Sequence, residues 1–167
     1  MDEFRLVIEI ISLSLLAGSV FYAARQIKSS HDWNRRKAAQ DIAIKYAELN
    51  PNKVVINEFL ERIGHKEALK LEELKDEFKR ASDLRDAIDT LLNFYEFLAM
   101  GVAQKVYDEK LIRIFWGEAM STNRIRYKSY IDNSIKEEYP DLWRYFISYT
   151  AKWDSQKNQI QERGSTG

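Results

Sequence analysis

The sequence predicts an all-α protein in which a single N-terminal transmembrane helix continues into a small cytoplasmic helical bundle. One long apolar segment, Leu6–Ala24, contains a single ionisable side chain. Through most of the remaining chain, apolar residues recur three and four positions apart, which is the spacing of one helix face, and no segment shows a convincing strand pattern. The 167 residues include only six Gly and two Pro, whereas turn-rich β architectures need more of both.

These patterns divide the chain into consecutive predicted segments. They are a transmembrane anchor at residues 1–27, a basic stalk helix at 28–50, a cytoplasmic helical bundle at 51–157 and a disordered tail at 158–167. The tail is polar and ends in Gly-Ser-Thr-Gly, so we expect it to fray.

The apolar segment Leu6–Ala24 has the length of a bilayer-spanning helix, which needs about 20 predominantly apolar residues. A cleaved signal peptide would instead carry a positive N-terminus and a small-residue cleavage site. Here Asp2 and Glu3 outweigh Arg5, and no good cleavage site precedes Arg25. We therefore expect a retained transmembrane helix.

Basic residues on the C-terminal side of this segment predict its orientation. Only Arg5 precedes the span, whereas a cluster of cations follows it: Arg25, Lys28, Arg35, Arg36 and Lys37. Because cytoplasmic flanks carry the excess of Lys and Arg, the N-terminus should lie outside and the bundle in the cytoplasm. The cations act either as a topology signal alone or also as contacts for anionic lipid headgroups.

Two features inside the span have alternative interpretations. Glu9 lies about one turn inside it, where an ionisable group is either functional or near enough to the helix end to reach the interface. Ser14 and Gly18 form a small-xxx-small pattern, which would let two such helices pack closely.

The first helices after the anchor are predicted from breaks and caps. Residues Gln26–Leu49 contain neither Gly nor Pro, so the anchor should run directly into the stalk, and Asn50-Pro51 should end it. A short helix is predicted over Lys53–Ile63, with Gly64 as its C-terminal cap. The charge-rich residues 65–79 indicate a solvent-exposed helix or helical loop.

The later helices should build the core. Ser82 or Asp83 should cap a central helix that is apolar on almost every side from Leu91 to Ala103, and such a helix is buried in a soluble domain. Asp108 should cap the following helix. The predicted core faces of the last two helices are Leu111, Ile114, Phe115 and Ala119, and then Leu142, Tyr145, Phe146, Tyr149 and Trp153.

Composition and motifs exclude several classes of function. The absence of Cys removes disulfides, thiolate catalysis and Cys-ligated metal sites, and only two His are present. The balance of 26 basic and 26 acidic residues disfavours a nucleic-acid binder, which usually has a basic excess. The chain contains no glycine-rich phosphate loop and no GxSxG or HExxH motif. We therefore predict no enzyme activity, no catalytic or metal site, and no cofactor.

One polar set stands out in the predicted central helix. Asn93 and Glu96 are three residues apart and share a helix face, in a stretch that should be buried. A buried carboxylate needs a partner, and Arg113 on the following helix is a candidate, with Arg124 and Arg126 as alternatives. The set is either a polar lock that fixes helix register or the centre of a ligand site.

The chain resembles an uncharacterised family of short bacterial proteins. The resemblance rests on LLNFYEFLAMGV (Leu91–Val102), with its Asn-Phe-Tyr-Glu core motif, on the acidic helix start Asp108-Glu109 and on a Trp-bearing C-terminal helix. It covers roughly Arg85–Trp153 together with the anchor. It implies one N-terminal transmembrane helix in the bacterial inner membrane, a cytoplasmic helical domain and phage–host conflict as a setting, but no activity.

Three functional hypotheses follow from these observations. The first is a non-enzymatic membrane-anchored interaction or regulatory protein whose bundle binds a protein partner or forms a homo-oligomer. The second is a self-assembling membrane effector that perturbs the lipid bilayer, suggested by Glu9 and by the Ser14–Gly18 pattern. The third is a ligand- or nucleotide-binding domain centred on Glu96.

Overall fold

The computed structural model describes residues 2–48, 52–137 and 139–164, with side chains described for 15–46, 52–137 and 139–156. Within these residues the chain forms seven α-helices and no strand, which confirms the predicted all-α class. The helices are α1 Asp2–Glu48, α2 Asn52–Arg62, α3 Leu71–Arg80, α4 Ser82–Ala103, α5 Glu109–Arg126, α6 Lys128–Glu137 and α7 Arg144–Gly164.

The first helix, α1, runs without a break from Asp2 to Glu48, as the absence of Pro after the apolar segment predicts. No helix in the described part of the chain has an apolar window long enough to cross a membrane. The predicted anchor is therefore not supported by the structure. Residues 6–14 of that anchor, including Glu9 and Ser14, lie outside the residues whose side chains are described.

The central helix of the bundle is α4, which contacts α2, α3, α5 and α7. Its buried face repeats every three or four residues, as helix geometry requires for a single stripe. The side chains on that stripe include Leu84, Ile88, Leu92, Tyr95 and Leu98. The predicted central position of this helix is confirmed.

The start of α4 differs from the prediction. Neither Ser82 nor Asp83 is its N-cap, because Ala81 occupies that position and Ser82 is already the first helical residue. Ala81 is also the C-cap of α3, so one extended residue separates the two helices. A shared cap residue leaves no place for a separate capping side chain.

The turn between α4 and α5 depends on Gly101. The carbonyl oxygen of Gly101 accepts hydrogen bonds from the Val106 and Tyr107 amides at 2.8 and 3.1 Å. The Tyr107 ring lies directly over Gly101, where a Cβ atom would be 2.3 Å from ring carbons. The predicted cap of α5 is confirmed, because the Asp108 carboxylate accepts from the Leu111 amide at 3.1 Å.

The predicted core face of α5 is wrong by about one residue. Ile114 and Phe115 are 64% and 47% exposed, and the residues packed inside are Ile112, Gly117 and Met120. Both faces have apolar residues at helical spacing, so periodicity alone does not choose between them. The choice is made by packing, since α5 contacts α1, α4, α6 and α7.

The C-terminal helix α7 begins at Arg144 and is described through Gly164, past the predicted tail boundary at 158. Phe146 and Trp153 are buried as predicted, but Trp143 and Thr150 are buried as well. Trp143 precedes the helix with φ of 54°, the left-handed conformation. This conformation turns the chain into α7 and places the indole against α4.

Candidate functional site at the junction of α4 and α7

The N-terminus of α7 lies against the polar pair of α4. The first turn of an α-helix has backbone N–H groups without partners inside the helix. The Glu96 carboxylate accepts from two of them, the amides of Tyr145 at 3.2 Å and Phe146 at 2.8 Å. A negative charge at a helix N-terminus is also favoured by the helix dipole. Glu96 is therefore a long-range cap for α7, supplied from a different helix.

Asn93 holds the residue just before that helix. Its Oδ1 atom accepts a hydrogen bond from Trp143 Nε1 at 2.9 Å. Because the Trp143 side chain is 3% exposed, its polar nitrogen needs this partner. Asn93 and Glu96 thus act together on the turn into α7, in agreement with a polar lock.

The surroundings of this pair differ from the sequence-based expectation. Asn93 is exposed and Glu96 is half-buried, although both were expected inside the core. Both Glu96 oxygens are already engaged by backbone amides, which disfavours Glu96 as the centre of a ligand site. No group of three or more His, Asp or Glu that could hold a metal occurs among the described residues.

The predicted contact between Glu96 and Arg113 is not formed. The Arg113 guanidinium instead donates to Gln156 Oε1 at 2.8 Å. Gln156 lies several turns along α7 from the first turn that Glu96 contacts. The alternative Arg124 also pairs with α7, through Asp154 at 3.0 Å. These arginines lie along α5 where it faces the later turns of α7, whereas Glu96 faces the first turn. The third candidate, Arg126, donates to Asn123 and to the Lys66 carbonyl.

Another carboxylate strengthens the contact between α5 and α7. Glu109 Oε1 accepts from Lys152 Nζ at 2.7 Å and from Trp153 Nε1 at 3.2 Å. Burial opposes ionisation of Glu109, but these two hydrogen bonds outweigh it and lower its pKa. The sequence contained no signal for this contact, since the two helices are distant in sequence.

The described side chains in residues 15–31 of α1 are not packed against the bundle. Every described side chain from residue 15 to residue 31 is exposed. The large apolar ones are between 60% and 71% exposed: Leu15, Leu16, Val20, Phe21, Tyr22 and Ile27. Gly18 has no heavy atom within 4 Å of a Cβ position, so the side of the helix that carries it is open. The packed face of α1 begins only at about residue 38.

The cations that follow this exposed segment have different environments. The Arg35 guanidinium donates to the Tyr107 carbonyl at 3.3 Å, and Arg36 pairs with Asp108 at 3.6 Å. These two therefore help attach α1 to the α4–α5 turn. Lys37 lies over the Trp33 ring, and Arg25 and Lys28 are exposed without an ion-pair partner in the described part of the chain.

Trp143 is the residue of this junction that sequence reasoning missed. It lies outside the periodic stripe of the last helix, so the pattern assigned it no core position. The available signal is its position three residues after Pro140, in the turn that begins a helix. That signal identifies a turn but gives no information on which helix the indole contacts.

Comparison with known proteins identifies a family but no function. The sequence pattern of a family described as a domain of unknown function, DUF4760, matches residues 13–153. No curated protein and no solved structure matches the chain. The expectation of an uncharacterised family is confirmed, whereas the match does not show a transmembrane helix or an Asn-Phe-Tyr-Glu motif as family features.

Proposed function

Because the chain belongs to the DUF4760 family, whose function is unknown, we propose from its geometry that it is a non-enzymatic, membrane-anchored interaction or regulatory protein. In this proposal the N-terminal half of α1 lies in the bilayer and the bundle, α2–α7 with the packed part of α1, binds a protein partner. The phage–host setting implied by the family resemblance stays a prediction.

The observation that carries the proposal is the exposed apolar surface of α1 at residues 15–22. Large apolar side chains at residues 15, 16 and 20–22 point to several sides of the helix, and none is covered by the bundle. An isolated helix is marginally stable in water, and apolar surface on all sides is unfavourable there. A bilayer would cover all sides at once, and the exposed cations Arg25 and Lys28 would then lie at the headgroups.

A second apolar surface supports a partner for the bundle. Phe97 and Met100 on α4 and Val106 in the α4–α5 turn are all exposed. They are neighbours, because Phe97 and Met100 are three residues apart on one helix and the Phe97 ring contacts Tyr107 at 5.9 Å. This surface, which we call the turn patch, lies at the bundle end that Arg35 attaches to α1. A partner at the membrane would reach it.

The anchor is tested by expressing the full chain in bacteria and washing membranes with high salt and then with carbonate. We expect the chain to stay in the membrane, and protease added to spheroplasts to leave the bundle intact. Leu15→Lys places a charge at the middle of the predicted span, at a cost of about 3 kcal/mol, and should release the chain.

The matched control is Gln40→Lys, which adds the same charge at an exposed position of α1 beside its packed face. This variant should remain in the membrane like the wild type. Recovery of the wild-type chain in the salt wash, or equal release of the two variants, would contradict the anchor. Cleavage of the bundle in intact spheroplasts would contradict the orientation.

The partner is tested by cross-linking in intact membranes, affinity purification of the full chain and mass spectrometry. A protein recovered with the wild type should be lost with Phe97→Asp in the turn patch. Val54→Asp changes another exposed apolar residue, on α2, and is the control. A ladder made only of the chain itself would favour self-assembly over a separate partner.

A further inference from the structure

A cavity of about 320 Å³ lies where α1, α2, α4 and α5 meet. This volume is at the lower end of the range for small-molecule sites. Aromatic rings line one part of it, from Tyr46 on α1, Tyr95 on α4 and Trp116 on α5. Aliphatic side chains of α2 and α4, including Leu60 and Leu91, line another part. The cavity therefore offers apolar and aromatic walls to a flat molecule.

The two charged side chains described in the cavity wall are both positive. Among the residues whose side chains are described, Lys53 and Arg126 contribute to the wall and no carboxylate does. Lys53 is exposed, so it lies at the mouth, and it has no ion-pair partner in the described part of the chain. Arg126 is half-buried and is held by Asn123, which also lines the cavity. Two cations without a neighbouring carboxylate favour an anionic group at this mouth.

The polar atoms of the wall are not fully satisfied. Trp116 Nε1 is buried and has no hydrogen-bond partner among the described residues, whereas buried donors in proteins are nearly always paired. The Tyr95 hydroxyl accepts from Asn123 Nδ2 at 3.0 Å, which leaves its own proton to donate.

We propose that this cavity binds a small planar anion, namely an aromatic ring that carries a carboxylate or a phosphate group. The ring packs against the aromatic walls, and Lys53 and Arg126 bind the anionic group. The proposal is independent of the membrane anchor, since every residue it uses belongs to the packed part of the chain.

The position of Tyr46 gives the site a connection to α1. Its ring stacks on Phe94 of α4 with centroids 3.6 Å apart and meets the edge of Trp116 at 4.9 Å. A ligand in the cavity would therefore contact the same helix that carries the exposed apolar segment. Occupancy would add contacts between α1 and the bundle.

The test is isothermal titration calorimetry of the full chain with two matched pairs of probes. The first pair is naphthoate and neutral naphthamide, and the second is adenosine monophosphate and adenosine. We expect one anion or both to bind at least about tenfold more tightly than the neutral counterpart. Binding of only one anion would identify the acidic group, carboxylate or phosphate.

Variants locate the binding. Lys53→Met should weaken anion binding about fivefold, the order expected for one exposed charge pair. Lys110→Met, on an exposed position of α5 that does not line the cavity, should leave it unchanged. Ala119→Leu fills the cavity from α5 and should abolish binding, with circular dichroism confirming the fold.

Three results would overturn the proposal. They are no anion binding with a dissociation constant below about 1 mM, equal affinity for the charged and neutral probes, and unchanged affinity in both Lys53→Met and Ala119→Leu. The Trp116 indole N–H signal in nuclear magnetic resonance, assigned with Trp116→Phe, supplies a second readout. It should shift when the anion binds, because Trp116 lines the cavity and its ring would lie against the ligand.

Discussion

Substitution of Glu96 tests the account of the α4–α7 junction most directly. Glu96→Ala removes both acceptors of the first α7 turn, at 3.2 and 2.8 Å, together with the negative charge at the helix N-terminus. Each hydrogen bond to a charged group contributes about 1.5–3 kcal/mol. The sum for the two bonds is reduced here because Glu96 is only half-buried and because the bond to Tyr145 is long, at 3.2 Å. We expect the free energy of unfolding to fall by about 2–3 kcal/mol, at or slightly above the upper end of the cost of a lost N-cap, because two backbone amides lose a charged acceptor.

Glu96→Gln separates charge from shape. The amide keeps one acceptor oxygen but presents its NH₂ group to the other backbone N–H, so we expect a loss of about 1–2 kcal/mol. The assay is urea unfolding of the full chain in mild detergent, followed by circular dichroism. Glu58→Gln, at an exposed position of α2, is the control for loss of a carboxylate.

The reasoning is refuted if Glu96→Gln and Glu58→Gln have the same free energy of unfolding within about 0.5 kcal/mol. A stable Glu96→Gln chain that loses its cellular function would instead favour a functional site at Glu96. Asn93→Ala should add a smaller loss, about 1 kcal/mol, because Trp143 Nε1 loses its acceptor.

Two further predictions concern the core. Gly101→Ala should lower the free energy of unfolding by about 1–3 kcal/mol in urea titrations, because its Cβ would overlap the Tyr107 ring, whereas Gly18→Ala meets no atom and should not lower it. Burial raises the pKa of Tyr127 from 10.0 to about 12, so the folded state holds this proton more tightly than the unfolded state does. The resulting stabilisation is complete below pH 10, and the free energy of unfolding should fall as the pH rises from 10 towards 12. Tyr127→Phe removes the titrating hydroxyl, so it should make that fall shallower. Because this hydroxyl has no hydrogen-bond partner in the described part of the chain, Tyr127→Phe should also change stability at neutral pH by less than Tyr95→Phe, which loses a bond from Asn123. Equal pH profiles for wild type and Tyr127→Phe would contradict the assignment.

Much of the architecture could be predicted because it depends on local rules. The all-α class follows from helical spacing, and the Asp108 cap follows from a side chain that bonds an amide three residues later. The central position of α4 follows from apolar residues on most of its sides. In each case the interacting groups are close in sequence, so the pattern contains the information.

The candidate site could be predicted only in part. Asn93 and Glu96 stood out as polar residues in an apolar stretch, and a lock was one of the two interpretations. Their partners, Trp143 and the α7 amides, lie about 50 residues away, and no spacing rule connects them. The expected partner Arg113 was chosen because it lies on the next helix, whereas the structure pairs it with Gln156.

Composition and periodicity thus determine which segments are helical and which residue types need burial or a partner, because these properties belong to single helices. Which face of α5 is buried, which helix Glu96 caps and where the aromatic cavity forms depend on how helices from distant parts of the chain pack together. Several apolar faces and several cations were equally acceptable locally. Only the simultaneous packing of α1, α4, α5 and α7 selects among them, because each buried face and each polar partner excludes the alternatives.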